Sequence, residues 1–260
     1  MHLERARADW VGFTTIVAKE TRRILRIWVQ TLVPPVIQMV LYFLIFGSVI
    51  GSRVGHMGGY SYMTYIAPGL IMMAVITNSY ANVVSSFFGS KFARHVEELL
   101  VSPLPNVLIL LGYMSGGMLR GLMVGGIVTL MAAFFTHLPI AHPWVIITAA
   151  LLTSAVFSLG GFLNALFATK FDDVTIIPTF VLTPLQYLGG VFYSISLLSA
   201  PWRQLSRADP LLYMIDSLRY GFLGRSDIAL PMAYAIMAGF LVILFVLALW
   251  LLKRGSGLKA

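Results

Sequence analysis

The chain has 260 residues, 58% of them hydrophobic and only 11% charged, against roughly 25% charged residues in a soluble domain. No part of it outside the long apolar stretches reaches the ~40–50 residues that an independent soluble core needs, which excludes an in-chain ATPase, peptidase or receptor ectodomain. It has no cysteine and a formal net charge of +8, so thiolate chemistry is excluded, and the charge fits membrane anchoring better than nucleic-acid binding.

Six apolar stretches, at about 28–50, 61–84, 107–136, 144–168, 175–193 and 230–252, are each near the ~20 residues that cross a bilayer. In lipid each must satisfy its own backbone hydrogen bonds, so they are expected to be helices. The expected fold is an all-α membrane protein of one domain over 1–260. It has six transmembrane helices, an N-terminal amphipathic interfacial helix, a short helix between spans two and three, and re-entrant outer helices between spans five and six.

Residues 1–27 are too charged for a cleavable signal. From residue 9 onward Trp10, Phe13, Val17, Ile24 and Trp28 recur at helical spacing, with Lys19, Arg22, Arg23 and Arg26 able to face anionic headgroups. Pro34-Pro35 should kink the first span near its start. Tyr60, Tyr62 and Tyr65 flank the outer start of the second span, a depth that amphipathic rings favour.

The segment 87–105, FFGSKFARHVEELLVSPLP, reads as a short helix from Lys91 to Leu100, with Phe92, Val96, Leu99 and Leu100 on one side. Arg94, His95, Glu97 and Glu98 fill the rest, and Pro103 and Pro105 stop it. Such a helix suits docking to a soluble partner, and equally a solvated loop. The third span carries Gly112, Gly116, Gly121 and Gly125, which let helices approach closely. Arg120 is the one ionisable residue well inside a span: either a functional charge or a side chain that snorkels to the interface.

Asp172-Asp173 sits in a short loop beside Lys170, where a cap or a partner contact fits better than acid–base chemistry. Pro178 and Pro184 should kink the fifth span, whose Thr179, Thr183, Gln186 and Tyr187 offer uncharged hydrogen bonds to a cargo or to the core. The segment 194–229 is too apolar for a soluble domain and too broken by Pro201 and Pro210 to span, which suggests two short helices dipping into the outer leaflet. Loops on the side of the termini hold twelve Lys and Arg against five on the other, so both termini are expected in the cytoplasm. There is no GxxxxGK[ST], HExxH or GxSxG motif, the five histidines are dispersed, and no metal site is expected. The spans also lack the Asp, Glu or His chain of a proton-coupled carrier, which favours an external motor.

The runs AKETRRILRIWVQTLVPPVIQMVLYFLIFG, VEELLVSPLP and IIPTFVLTPLQYLGGVFYSISLLSAPWRQLSRADPLLYMIDSLRYGFLG together resemble the permeases of type-2 ATP-binding-cassette (ABC) transporters, over essentially the whole chain. The likeness is nearest to bacterial inner-membrane permeases that pair with a separate ATPase. It implies two copies of the chain, each with an ATPase subunit that carries the ATP and Mg, so this chain binds no cofactor and is not itself an enzyme. It implies that Lys91 to Val101 is the coupling helix, with Glu97 and Glu98 its acidic centre, and that Phe171, Asp172 and Asp173 form a second contact. It implies a connecting helix whose Lys19, Glu20, Arg22 and Arg23 lie along the membrane and touch the ATPase. Spans one, two and five are implied to line the path or the dimer seam. Asp209-Pro210 stands where many members have Asn-Pro.

Three functions follow from these readings. The first is the membrane half of an ATP-driven exporter of an amphipathic, lipid- or glycan-like cargo or drug, in the bacterial inner membrane among its lipids. The second is a gradient-driven carrier or channel, which should show an inverted repeat that the sequence lacks. The third is a sensor or assembly protein that only recruits a partner.

Overall fold

The computed structural model describes residues 2–255 and 257; the side chains of His2, Leu3, Ser48 and Leu100 lie outside the described residues. Apart from one two-residue hairpin, β1 (His56–Met57) with β2 (Tyr60–Ser61), the described elements are helices. They are α1 (His2–Arg26), α2 (Trp28–Val54), α3 (Tyr62–Phe92), α4 (His95–Val101), α5 (Asn106–Phe135) and α6 (Pro143–Phe167). Then follow α7 (residues 173–188), α8 (Ala200–Ala208), α9 (Pro210–Leu223) and α10 (Leu230–Arg254).

Among the described residues five helices, α2, α3, α5, α6 and α10, are long and apolar enough to cross a membrane. The fifth expected span is shorter than its apolar run. Its helix is built from Asp173–Ile177, the π-helical Pro178–Leu182 and Thr183–Leu188, and ends before Gly189. Gly190 then turns at φ +78, a conformation that glycine adopts without a Cβ penalty. This turn brings the backbone of Val191 onto Gly69 of α3, where a Cβ would lie 2.6 Å from the Val191 carbonyl oxygen.

The core forms around α3, which is buried along most of its length and packs on α5 and α6. The small residues of α5 divide into two tracks. Gly117, Gly121 and Gly125 receive Val83, Ser79 and Val75 of α3, while Gly112 and Gly116 receive Ile16 and Glu20 of α1. Helix α9 is almost wholly buried and packs against α3, α6 and α10. The segment after the fifth expected span therefore does contain two short helices, as the prolines suggested. By contrast α2 and α7 present exposed apolar faces, among them Ile37, Leu41, Leu44, Phe180 and Val181.

Candidate functional site

At the end of the bundle that carries α4, the structure redraws the expected coupling segment. Helix α3 continues through Lys91 and Phe92, so these two belong to its last turn and not to the short helix that follows. Arg94 breaks the path at φ 60, and α4 runs only from His95 to Val101. Val96 is buried and Leu99 packs beneath it, while His95, Glu97 and Glu98 face outward. The Leu100 side chain, also expected on the apolar side, lies outside the described residues.

Two side chains expected to meet a partner are engaged within the chain. Lys91 Nζ donates to the carbonyl oxygens of Leu166 and Ala168, both at 2.7 Å, and so caps the end of α6. Asp173 Oδ2 accepts from Thr169 N, Thr169 Oγ1 and Lys170 N at 2.8, 2.8 and 3.0 Å. These backbone and hydroxyl donors hold its carboxyl below the usual range. Asp172 remains exposed. Phe92 and Phe171, 64% and 58% exposed, meet at 4.9 Å between ring centres. An apolar patch is thus left uncovered beside the acidic face of α4.

The connecting helix α1 packs in parallel on α5, which changes the roles of its charged residues. Glu20 is completely buried over Gly116, accepts from Ser86 Oγ and pairs with Arg23 at 3.2 Å. It is therefore sealed inside the chain and cannot touch a partner. Arg23 Nη2 also donates to Asn82 Oδ1 at 2.7 Å, and Lys19 Nζ reaches Ser90 Oγ at 3.3 Å. Arg22 remains exposed.

A cavity of about 210 Å³ opens between α2, α3 and α7. Thr183, Gln186 and Tyr187 line it, facing Gln38 and Tyr42 of α2 and Thr77 and Asn78 of α3. Gln186 Nε2 donates to Thr77 Oγ1 at 3.1 Å, and Gln38 Nε2 to Tyr42 OH at 3.2 Å. Three of the four residues expected on a cargo path thus share one polar cleft, whereas Thr179 lies outside its lining.

The sequence pattern of the "ABC-2 type transporter" family matches residues 11–223, which include α3 to α9 and all of the sites above. The chain belongs to the ABC-2 type transporter family. It is 54% identical over 252 residues to "Inner membrane transport permease YadH" of Escherichia coli (strain K12), covering 96% of this chain and 98% of that one. It is 24% identical over 222 residues to "Nodulation protein J" of Rhizobium leguminosarum bv. viciae, covering 83% of each. "Nodulation protein J" of Neorhizobium galegae is 25% identical over 218 residues, with 82% of each chain covered. The protein is thus a multi-pass membrane permease subunit of that family.

A feature of this ABC-2 permease that sequence reasoning missed lies at the opposite end. A second cavity, about 700 Å³, is lined by Tyr65, Ser194, Asp216, Arg219, Arg225 and Asp227, among others. Asp216 and Arg219 are 1% and 2% exposed. Arg219 Nη2 donates to the Gly190 carbonyl at 2.6 Å, and its guanidinium lies 4.4 Å from the centre of the Tyr65 ring. Asp216 Oδ2 accepts from Ser226 Oγ, Asp227 N and Ile228 N at 2.7, 2.9 and 3.0 Å. Burial pushes the Asp216 carboxyl up, against the opposing pull of Arg219. The available signal was an acid and a base three residues apart in an otherwise apolar helical run.

Proposed function

We propose that this permease is the membrane half of an ATP-driven exporter, working as two copies with two separate ATPase subunits. The observation that carries this reading is the docking patch at the α3–α4 junction. The Phe92–Phe171 pair is exposed, the acidic face of α4 adjoins it, and no described residue of the chain covers either. Behind the patch, Lys91 ties the end of α3 to the end of α6. A push on α4 is therefore delivered to the two helices at the centre of the core. Packed helices respond to such a push by moving between discrete arrangements.

The cargo on this reading is amphipathic, lipid- or glycan-like, or a drug, and passes the cleft between α2, α3 and α7. That cleft offers amide, hydroxyl and phenol groups and is flanked by exposed apolar helix faces, which also suit a seam with the second copy. The charge bias puts both termini, α4 and the Phe92 patch on the cytoplasmic side, and the bacterial inner membrane is the site of action, as in the name of its YadH relative. ATP and Mg belong to the partner subunit.

The test is mild-detergent purification of the tagged chain from its native membrane, with mass spectrometry of what accompanies it. A stoichiometric ATP-binding subunit is expected. The pair Glu97→Lys with Glu98→Lys should release it while the spans stay folded. A chain that emerges alone, even after crosslinking in the membrane, overturns the motor-driven reading.

A further inference from the structure

The junction of α1, α3 and α5 has more hydrogen-bond donors than acceptors. Arg23 Nε, Arg120 Nε and Asn82 Nδ2 are buried there without a partner, as is the Ser79 hydroxyl. The carboxylate of the junction is Glu20, already engaged by Ser86 and Arg23. Arg23 and Arg120 lie close enough for their like charges to interact. Two guanidiniums and one carboxylate leave an uncompensated positive charge in a low-dielectric place, which is costly unless an anion completes it.

The packing fixes the depth of this charge. Ile16 sits on Gly112 and Glu20 on Gly116, so the parallel register places Ile24 beside Arg120. Arg120 is thus level with the stretch of α1 that exposes Arg22 and Arg26, one turn before the exposed Trp28. Basic side chains followed by an exposed tryptophan mark the headgroup layer. The terminal nitrogens of Arg120 are neither buried nor bonded within the described residues, so they reach the surface at that level.

We propose that Arg120 and Arg23 bind the phosphate of an anionic phospholipid in the leaflet that faces α4. The unbonded terminal nitrogens of Arg120 and the outward Nη1 of Arg23, which donates to the exposed Ser85 hydroxyl, can reach that phosphate, and guanidinium groups match its geometry. Arg120 is then a lipid-anchoring residue.

Native mass spectrometry of the detergent-solubilised permease tests this, with dioleoyl phosphatidylglycerol or dioleoyl phosphatidylcholine added. The wild type should retain phosphatidylglycerol in preference, and Arg120→Gln should weaken that retention about tenfold, the scale of one charge-assisted hydrogen bond. Arg120→Lys, which keeps the charge, should retain more than Arg120→Gln. Equal retention by wild type and Arg120→Gln overturns the proposal, as does displacement of the lipid by millimolar inorganic phosphate, which would identify a free-phosphate site. Should Arg120→Gln fail to fold, the wild type alone decides: no preference for phosphatidylglycerol over phosphatidylcholine overturns it.

Discussion

Asp209→Asn should make the protein more stable at neutral pH, and the gain should vanish in acid. Asp209 is 2% exposed at the start of α9. Its Oδ1 caps the helix by accepting from Leu211 N at 2.9 Å, while Oδ2 is buried with no partner. Burial pushes the carboxyl up to about 6, against the smaller opposing effect of the Leu211 bond. The unfolded value is near 3.9, so the folded chain binds the proton more tightly. Stability therefore rises as pH falls through about 6 and levels off near 4. Holding the ionised group above that window costs roughly 3 kcal/mol, from about two pH units at 1.36 kcal/mol each. An asparagine keeps the Oδ1 cap without the charge, but leaves one buried amide donor unpaired at about 1 kcal/mol. The net gain near pH 7.5 is then about 2 kcal/mol, or ~4–8 °C in Tm for a chain of this size. Thermal unfolding of both chains in the same nanodisc, from pH 4.5 to 8, measures it. A difference that does not change with pH, or an asparagine variant less stable at pH 7.5, refutes the argument.

Gly69→Ala and Gly161→Ala should each destabilise by ~1–3 kcal/mol, because the new Cβ would lie 2.6 and 2.5 Å from the carbonyl oxygens of Val191 and Tyr80. Gly126→Ala, with nothing within 4 Å, should be neutral or stabilise by ~0.4–1 kcal/mol, and thermal midpoints in one detergent rank the three. Asp216→Ala should cost ~3–5 kcal/mol, since it strips three donors of their acceptor and leaves Arg219 buried and unpaired. Arg219→Met should cost less, because Asp216 keeps those donors; the reverse order of unfolding midpoints would disprove this assignment. Gln186→Leu should leave the folding free energy within about 1 kcal/mol of wild type yet change the transport rate, because it removes the amide that bridges α7 to Thr77.

The helical class and the long apolar stretches were legible because hydrocarbon leaves a backbone few options. The breaks in 194–229 were legible because proline and glycine act locally. What could not be read were features set by contacts distant in the chain. Glu20 looks like one more surface charge on an amphipathic helix until Gly116 and Ser86 close over it. Lys91 falls in a helical pattern either way, and only its bonds to Leu166 and Ala168 assign it to α3 as a clamp. The length of α7 depended on where Gly190 turns, and that turn is fixed by the fit of Val191 against Gly69. The cleft residues were found by residue type, but their meeting with Gln38 and Thr77 required the fold.

The sealed Glu20 also bears on how the protein is made. Its hydroxyl partner Ser86 lies 66 residues downstream, and the serine that Arg23 reaches lies 62 residues downstream. At 5–20 residues per second, α1 leaves the ribosome about 3–13 s before these two serines have been synthesised. During that interval Glu20 and Arg23, three residues apart on one helix face, can neutralise each other without outside help. The helix can therefore wait at the membrane surface as a self-balanced unit. It docks when α3 and the glycines of α5 arrive, so the first helix translated is not locked in place until the chain has been made as far as α5.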